Sequence, residues 1–246
     1  MLETIAVWFS CGAASAVAAF ETLKKYKHTH VIRIVNNPVM EEDIDNRRFL
    51  ADVETWLNHP IEFAINDEFP LFSAKSVWEK RKYMAGINGA PCTLELKKKA
   101  RQQWEKSNKV DHTVLGFTLD EKHRHDRFVT TERPLLPVLI DAGLTKQDCF
   151  NVIKSAGIKL PRIYEQGYPN ANCIGCVKAS SPTYWNLVRE KHPDVFEERA
   201  EQSQRLNVKL TRFQGKRIFL TELPVNAKGR SIKKMDFECG IFCEER

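Results

Sequence analysis

The sequence predicts an α/β protein in which a doubly wound parallel sheet carries helices on both faces. Short apolar runs alternate with amphipathic stretches of ten or more residues through the first half of the chain. The first run, residues 5–9, is too short for a helix and is apolar throughout, which is typical of a strand buried on both faces. Parallel strands joined by helices place their carboxyl ends at one edge of the sheet, where ligands bind.

The other elements follow from the same pattern and from residues that begin or end helices. Ser15, Ser73 and Thr145 are predicted N-caps, and Gly157 is a predicted helix stop. Strands are expected at residues 30–35, 61–65 and 113–117, helices at 16–25, 41–56, 73–84, 94–106, 145–157, 182–191 and 196–206, and a small hairpin at 211–220. The preferred division is one domain over residues 1–223 and a mobile, basic, cysteine-bearing tail over residues 224–246.

Composition limits the classes of protein to consider. The 246 residues are 42% hydrophobic and 28% charged, which is ordinary for a soluble globular chain, and we expect a cytoplasmic protein without a membrane span. The net charge of +6 suits a polyanionic ligand but is too small to require nucleic acid. Seven cysteines, an odd number, are expected to be reduced, catalytic or metal-bound rather than a disulfide framework.

The loop between the first strand and the first helix is a candidate anion site. It consists of Ser10, Cys11, Gly12, Ala13, Ala14 and Ser15. A strand that runs through small residues into a helix directs backbone N–H groups at one point, which suits phosphate or sulfate. The alternative is an ordinary turn that binds nothing. Neither G-x-G-x-x-G nor G-K-[ST] occurs here, and neither NAD nor flavin is expected.

This loop resembles the phosphate loop S-G-G-K-D-S of the adenine nucleotide α-hydrolase-like superfamily. Ala13 and Ala14 occupy the Lys and Asp positions, as in the sulfonucleotide reductases, which do not cleave ATP. Further stretches resemble the phosphoadenosine phosphosulfate (PAPS) reductase family in the family's order, with Thr118 replacing an Arg and Phe242 a His. They are residues 115–124, 134–148, 160–176 and 238–242. The chain also resembles divergent members often encoded by bacteriophages.

The resemblance implies a sulfonucleotide reductase of sulfate assimilation, an oxidoreductase acting on a sulfur group. Cys239 would attack the sulfonyl sulfur of PAPS or adenylylsulfate, and a thioredoxin or glutaredoxin-type donor would then release sulfite. Besides loop residues 10–15, the expected substrate-binding residues are Asn36, Lys97, Glu121, Arg124, Lys233 and Lys234. Each charged side chain could instead be a solvated surface group.

The cysteines suggest a second centre. Cys173 and Cys176 are spaced C-x-x-C, so both could bind one metal, form a redox pair or simply be buried. The resemblance adds Cys92, which precedes a basic helix, as a third ligand. The fourth could be Cys243, Cys239 or an open site for substrate. The alternatives are a [4Fe-4S] cluster, zinc or no metal. Cys149, on the apolar side of its helix, is expected in the core.

Two other function classes stay open. An iron–sulfur-dependent enzyme of tRNA or DNA sulfur modification would use the three cysteines with one open iron site, and only this alternative calls for nucleic acid. Ala13 and Ala14 argue against it, because that chemistry needs ATP cleavage. The third class is a non-catalytic nucleotide-binding protein. The sequence leaves open whether the chain forms a homodimer.

Overall fold

The computed structural model describes residues 2–86, 89–128 and 134–232, which form two compact units interleaved along the chain. The first, called the sheet unit, comprises Met1–Pro38, Ile44–Ile65 and Arg101–Glu165. The second, called the cysteine unit, comprises Val39–Asp43, Asn66–Ala100 and Gln166–Arg246. The domain boundary after residue 223 stays a prediction.

Four parallel strands form the centre of the sheet unit, in the order β3-β2-β1-β4. They are β1 (Thr4–Trp8), β2 (Val31–Asn36), β3 (Ile61–Phe63) and β4 (His112–Val114). The chain adds β2 and β3 on one side of β1 and then returns to its other side with β4. The strand order therefore reverses between β1 and β4, and the predicted parallel α/β fold is confirmed.

The helices of the described residues are α1 (Ala13–Tyr26), α2 (Asp45–Leu57), α3 (Ala74–Arg81), α4 (Pro91–Thr93), α5 (Ala100–Lys106), α6 (Lys122–Phe128), α7 (Val138–Asp141), α8 (Lys146–Ser155), α9 (Pro182–Lys191) and α10 (Pro193–Arg205). A π-helix, Leu94–Lys99, joins α4 to α5, and β5 (Thr211–Phe213) pairs with β6 (Lys216–Ile218) as the predicted hairpin. Within these ranges no helix is long and apolar enough to cross a bilayer.

Both faces of the sheet are covered because alternate side chains of a strand point in opposite directions. Immediately after β1, Phe9 packs against Phe49 of α2, with ring centroids 6.3 Å apart. One residue earlier, Trp8 meets Trp104 of α5 edge-on at 5.6 Å. The core of the sheet unit is mainly apolar around β1, where Ile5 and Val7 have no solvent exposure.

Several helix starts differ from the sequence prediction, and those of α1 and α2 bear on the site. The prediction of Ser15 as N-cap is wrong, because α1 begins at Ala13 after Gly12. The hydroxyl of Ser15 instead donates to the Gly12 carbonyl at 2.9 Å and accepts the Ser10 N–H at 3.1 Å. The second helix begins at Asp45 rather than at Glu41.

Glu41 has a different role, in the cysteine unit. Its carboxylate accepts hydrogen bonds from the Ser73 hydroxyl and from the N–H groups of Ala74 and Lys75, at 2.8 to 2.9 Å. An acid at a helix N-terminus satisfies unpaired donors and is favoured by the helix dipole. Glu41 therefore caps α3 together with Ser73, whose predicted capping role is confirmed by the bond that its side chain accepts from the Ser76 N–H.

The predicted start and end of α8 are both confirmed. Thr145 and Asp148 cap α8 reciprocally, through the Asp148 N–H to the Thr145 hydroxyl and the Thr145 N–H to the Asp148 carboxylate. Gly157 follows the helix with φ of 74°, the left-handed region that favours glycine. The fourth strand is shorter than predicted and ends at Val114, two residues before Gly116.

Candidate functional site

The start of α1 presents backbone donors at the point where the strand order reverses. Gly12 precedes the helix in an extended conformation and has no side chain to cap it, and the first turn contains no acid. Cys11 adopts φ of 56°, which turns the chain sharply between β1 and α1. A helix N-terminus without a capping side chain keeps its N–H groups and partial positive charge for an anion.

Tyr164 adds a hydroxyl to this helix start. Its oxygen accepts the Ala13 N–H at 3.2 Å, and its ring packs against Phe150 with centroids 5.0 Å apart. Burial raises the pKa of Tyr164 to about 12, so the hydroxyl stays neutral near pH 7 and keeps a hydrogen to donate. Tyr164 was not among the predicted site residues, although it lies within one of the stretches that resemble the reductases.

Gly116 forms the other wall of the same turn. A Cβ atom at this position would lie 2.7 Å from the backbone nitrogen of Ser15 and 2.9 Å from its Cα atom. Such distances are shorter than van der Waals contact and involve backbone atoms that cannot rotate away. Only glycine lets the chain after β4 approach the first turn of α1 this closely. In the sequence, only the resemblance of residues 115–124 points to this requirement.

Charged residues surround the segment after β4. Arg124 of α6 forms an ion pair with Glu121 and lies over the Phe117 ring, 5.1 Å from its centroid. Glu121 is close enough to contribute to the raised pKa of Tyr164. Thr118, at the position of the family's Arg, is fully buried and donates to Glu121 at 3.4 Å. It therefore orders the turn that carries the acid instead of binding a ligand itself.

Lys146, at the start of α8, was not selected from the sequence. The backbone N–H of Lys146 donates a hydrogen bond to the Asp120 carboxylate at 3.1 Å. Burial lowers the pKa of the Lys146 ammonium, Arg124 lowers it further, and Glu121 opposes the shift. Two cations therefore lie close together in a partly dehydrated setting, and an anion bound beside them would favour the charged form of the lysine.

Asn36 is the last residue of β2 and lies beside the loop that precedes α1. It is buried, and its amide donates to the Phe9 carbonyl at 2.7 Å and to the Cys11 sulfur at 3.5 Å. Cys11 is itself 3% exposed. These contacts fix the conformation of the loop, and direct contact of either side chain with a substrate stays a prediction.

The cysteine unit contains the C-x-x-C turn. The Tyr184 hydroxyl accepts the Cys176 N–H at 2.7 Å and donates to the Cys173 carbonyl at 3.4 Å. Gly175 has φ of 67°, which allows the chain to turn between the two cysteines. Cys176 is buried and Cys173 half-buried. The turn is therefore held in one conformation by a buried tyrosine.

Cys92 and Lys97 belong to the same unit. Cys92 is half-buried in α4, and Lys97 is buried in the π-helix with its ammonium 3.4 Å from Glu42. Among the described residues, the only set of three metal-binding side chains with all ligand atoms within 4.8 Å is Glu3, His30 and His112. The three cysteine sulfurs thus lack the close spacing of one tetrahedral zinc site, and the wider spacing of a cluster stays a prediction.

Of the remaining predicted residues, four lie outside the described ranges and one lies in the core. Cys239, Cys243, Lys233 and Lys234 lie outside the described residues. Cys149 is fully buried in the core, as expected, and burial raises its pKa to about 12.

Comparison with known proteins gives a likeness in structure but none in sequence. No protein-family model matches this chain, and no curated protein matches it in sequence. The chain is similar to the solved structure of the U34-tRNA thiolase NcsA from Methanococcus maripaludis with its [4Fe-4S] cluster. The TM-score is 0.48 with 10% identity, over 83% of this chain and 72% of that chain. At these values the likeness carries no statement about activity.

Proposed function

We propose that the chain is a sulfonucleotide reductase that binds the anionic groups of PAPS or adenylylsulfate at the start of α1. The observation that supports this most is the helix N-terminus itself, where Gly12 provides no side-chain cap and the Lys and Asp of ATP-cleaving loops are absent. Tyr164 offers a neutral hydroxyl there, bonded to Ala13. The helix dipole and the N–H groups of the first turn favour a phosphate or sulfate oxygen at this point.

The cations after β4 would complete the anion site. Arg124 can present two N–H groups to one phosphate, and Lys146 supplies a point charge. Glu121 forms an ion pair with Arg124, and its charge also opposes the lowering of the Lys146 pKa. A bound sulfonucleotide would place further negative charge beside this partly dehydrated pair.

The proposed reaction transfers the sulfonyl group from the nucleotide to a thiol and then releases it as sulfite. The Cys239 thiolate attacks the sulfonyl sulfur, the bond from sulfur to the bridging phosphate oxygen breaks, and the nucleotide leaves with that electron pair. A thiolate of a thioredoxin or glutaredoxin-type dithiol then attacks the Cys239 sulfur and displaces sulfite. Its second thiol resolves the mixed disulfide, so the dithiol is oxidised by two electrons and Cys239 is regenerated. Lys233 and Lys234 would draw the tail toward the anion.

Nucleotide binding tests the anion site. Titration calorimetry with PAPS, adenylylsulfate and ATP should show the tightest binding for a sulfonucleotide. Tyr164→Phe removes a donor to a charged group, worth about 1.5–3 kcal/mol, and should weaken that binding at least about tenfold. Tyr26→Phe, at the opposite end of α1, is the matched control and should bind like the wild type. Equal dissociation constants for the two variants would contradict the site.

Product analysis tests the chemistry. With reduced thioredoxin, PAPS or adenylylsulfate should yield sulfite, and sulfur-labelled substrate without reductant should leave label on the protein. Cys239→Ser should bind nucleotide but yield neither product. If no sulfite and no labelled thiosulfonate form from either substrate, the reductase assignment is wrong.

A second function, sulfur insertion into tRNA or DNA, is favoured by the cysteine unit. Cys173 and Cys176 are held on one ordered turn by Tyr184, and Cys92 lies in the same unit. Cysteine thiolates are the usual ligands of iron–sulfur clusters, and three of them would bind three of the four irons of a [4Fe-4S] cluster. The fourth iron would then be open to bind sulfur. The departure of Ala13 and Ala14 from the ATP-cleaving loop opposes this function.

Two measurements separate the functions. Pyrophosphate release from ATP in the presence of tRNA or DNA would support sulfur insertion, and its absence with every nucleic acid tried would remove it. Anaerobic purification followed by an absorption spectrum and iron and zinc analysis would identify the metal. Iron and inorganic sulfide at about four each per chain would indicate a cubane cluster.

A further inference from the structure

A cluster of two histidines and one glutamate lies at the amino ends of three strands, the edge opposite the candidate anion site. Glu3 immediately precedes β1, His30 immediately precedes β2, and His112 begins β4. Thr4 is paired with Val31 and Ile5 with His112 in the parallel register. Because side chains alternate along strands, this register directs Glu3, His30 and His112 to the same face of the sheet.

The distances suit a metal ion. A Glu3 carboxylate oxygen lies 2.8 Å from Nε2 of His112 and 3.8 Å from Nε2 of His30. The three ligand atoms all lie within 4.8 Å of one another. Ligands bound at about 2.0–2.1 Å in a tetrahedron are separated by roughly 3.3 Å, between the two observed values. A shift of a few tenths of an ångström would place the Glu3 oxygen at roughly 3.3 Å from the Nε2 atoms of both histidines.

The hydrogen bonds around His30 leave its Nε2 atom ready to bind a cation. The Thr29 hydroxyl donates to the Tyr26 carbonyl at 3.2 Å, so its oxygen accepts from Nδ1 of His30 at 2.8 Å. In the neutral imidazole this network assigns the hydrogen to Nδ1 and the lone pair to Nε2, on the side of Glu3. The Tyr26 ring also packs edge-on against the imidazole, with centroids 5.2 Å apart.

His112 is oriented by its neighbours. Its ring packs edge-on against that of His30, with centroids 5.9 Å apart, and its Nδ1 atom is buried with no hydrogen-bond partner among the described residues. It therefore makes its polar contact through Nε2. Asp111, the neighbouring acid, already accepts the Thr4 N–H at 2.9 Å and pairs with Lys109. Glu3, with its side chain 60% exposed, is the carboxylate that can adjust to an ion.

We propose that Glu3, His30 and His112 form a binding site for a divalent transition metal of the zinc type, separate from the cysteines and from the anion site. Imidazole and carboxylate ligands suit zinc and its first-row neighbours, and the remaining positions would hold water. An ion there would cross-link the amino ends of β1, β2 and β4. Thr29 acts as a positioning residue, because its hydroxyl sets the tautomer of His30.

Cobalt(II), a coloured substitute for zinc, tests the proposal in the metal-stripped, reduced full chain. Cobalt bound to nitrogen and oxygen gives only weak visible bands, whereas cobalt bound to thiolates adds an intense charge-transfer band. The wild type should bind one cobalt without that band. His112→Gln should lose this component and leave any thiolate component unchanged. Thr29→Val should weaken cobalt binding by about 10- to 100-fold, the usual effect of losing such a partner.

His28→Gln is the matched control, since His28 is exposed on the same turn and lies outside the cluster. It should bind cobalt like the wild type, and added cobalt should raise the melting temperature of both but not of His112→Gln. Glu3→Gln, at an exposed side chain, serves the same purpose if His112→Gln does not fold. Equal binding of the thiolate-free cobalt by wild type, His112→Gln and Glu3→Gln would overturn the proposal.

Discussion

Replacement of Gly116 by alanine perturbs the contact between β4 and α1 without changing a polar group. The added methyl group would lie 2.7 Å, 2.9 Å and 3.0 Å from backbone atoms of Ser15 and Ala14. Ordinary contact requires at least 3.4 Å, so the segment after β4 must move by roughly 0.5–1 Å relative to the helix. Because the obstructing atoms are backbone, no change of rotamer relieves the clash.

The expected cost follows from measured overpacking of cores, about 1–3 kcal/mol, and should be near the upper end here. With a urea dependence of about 1–3 kcal/mol per molar, the unfolding midpoint should fall by about 1 M. Sulfonucleotide affinity should fall as well, because the first turn of α1 is displaced. Urea titration followed by circular dichroism measures the midpoint, and calorimetry measures the affinity.

Gly12→Ala is the matched control for stability. Gly12 has φ of −95°, which alanine adopts freely, and the nearest atom to its added Cβ is the Tyr164 hydroxyl at 3.4 Å. Its stability should change by less than about 1 kcal/mol. If Gly116→Ala unfolds at the wild-type midpoint, the close approach of β4 and α1 is not a constraint, and the geometry of the anion site would have to be revised.

Three further predictions concern a cation, an ion pair and the cysteine turn. Burial lowers the pKa of Lys146 below the usual 10.5, so between the lowered pKa and 10.5 the free energy of unfolding should rise with pH while sulfonucleotide affinity falls. Both pH dependences should vanish in Lys146→Met. A wild-type affinity that does not change with pH would contradict a role of Lys146 in binding. Hydrogen bonding to Arg48 lowers the Asp45 pKa from 3.8 to about 2, so the stability it contributes is complete above pH 3.8 and is lost as the pH falls toward 2. Asp45→Asn should lower the free energy of unfolding by about 1–2 kcal/mol at pH 7 but not at pH 2, and an equal loss at both would contradict the linkage. Tyr184→Phe removes the hydroxyl that bridges the C-x-x-C turn, so the turn's thiols should react several-fold faster with a disulfide reagent, and an unchanged rate would show that the tyrosine does not hold them.

Local signals in the sequence were sufficient for much of the sheet unit. The apolar run at residues 5–9 predicted β1 to within one residue, and the alternation of strands and helices predicted parallel pairing. Thr145 with Asp148 predicted the start of α8, and Gly157 its end. These features depend on interactions within a few residues, which a single sequence displays directly.

Competition between local and distant partners explains the errors. Ser15 has a good capping residue type, but its hydroxyl bonds within the loop, and α1 begins two residues earlier. Glu41 has good helix propensity, but three donors at the start of α3, more than thirty residues away, hold its carboxylate. A favourable distant partner outweighs a propensity of a few tenths of a kcal/mol.

The fold class, the loop before α1 and the C-x-x-C turn could be predicted from the sequence alone, because each depends on short contiguous stretches. Only the tertiary structure brought Tyr164 to the first turn of α1, required glycine at Gly116 and gathered Glu3 with His112 across more than a hundred residues. Those contacts arise from strand order and register. Order and register are decided by burial and backbone pairing over the whole sheet, which no local pattern records.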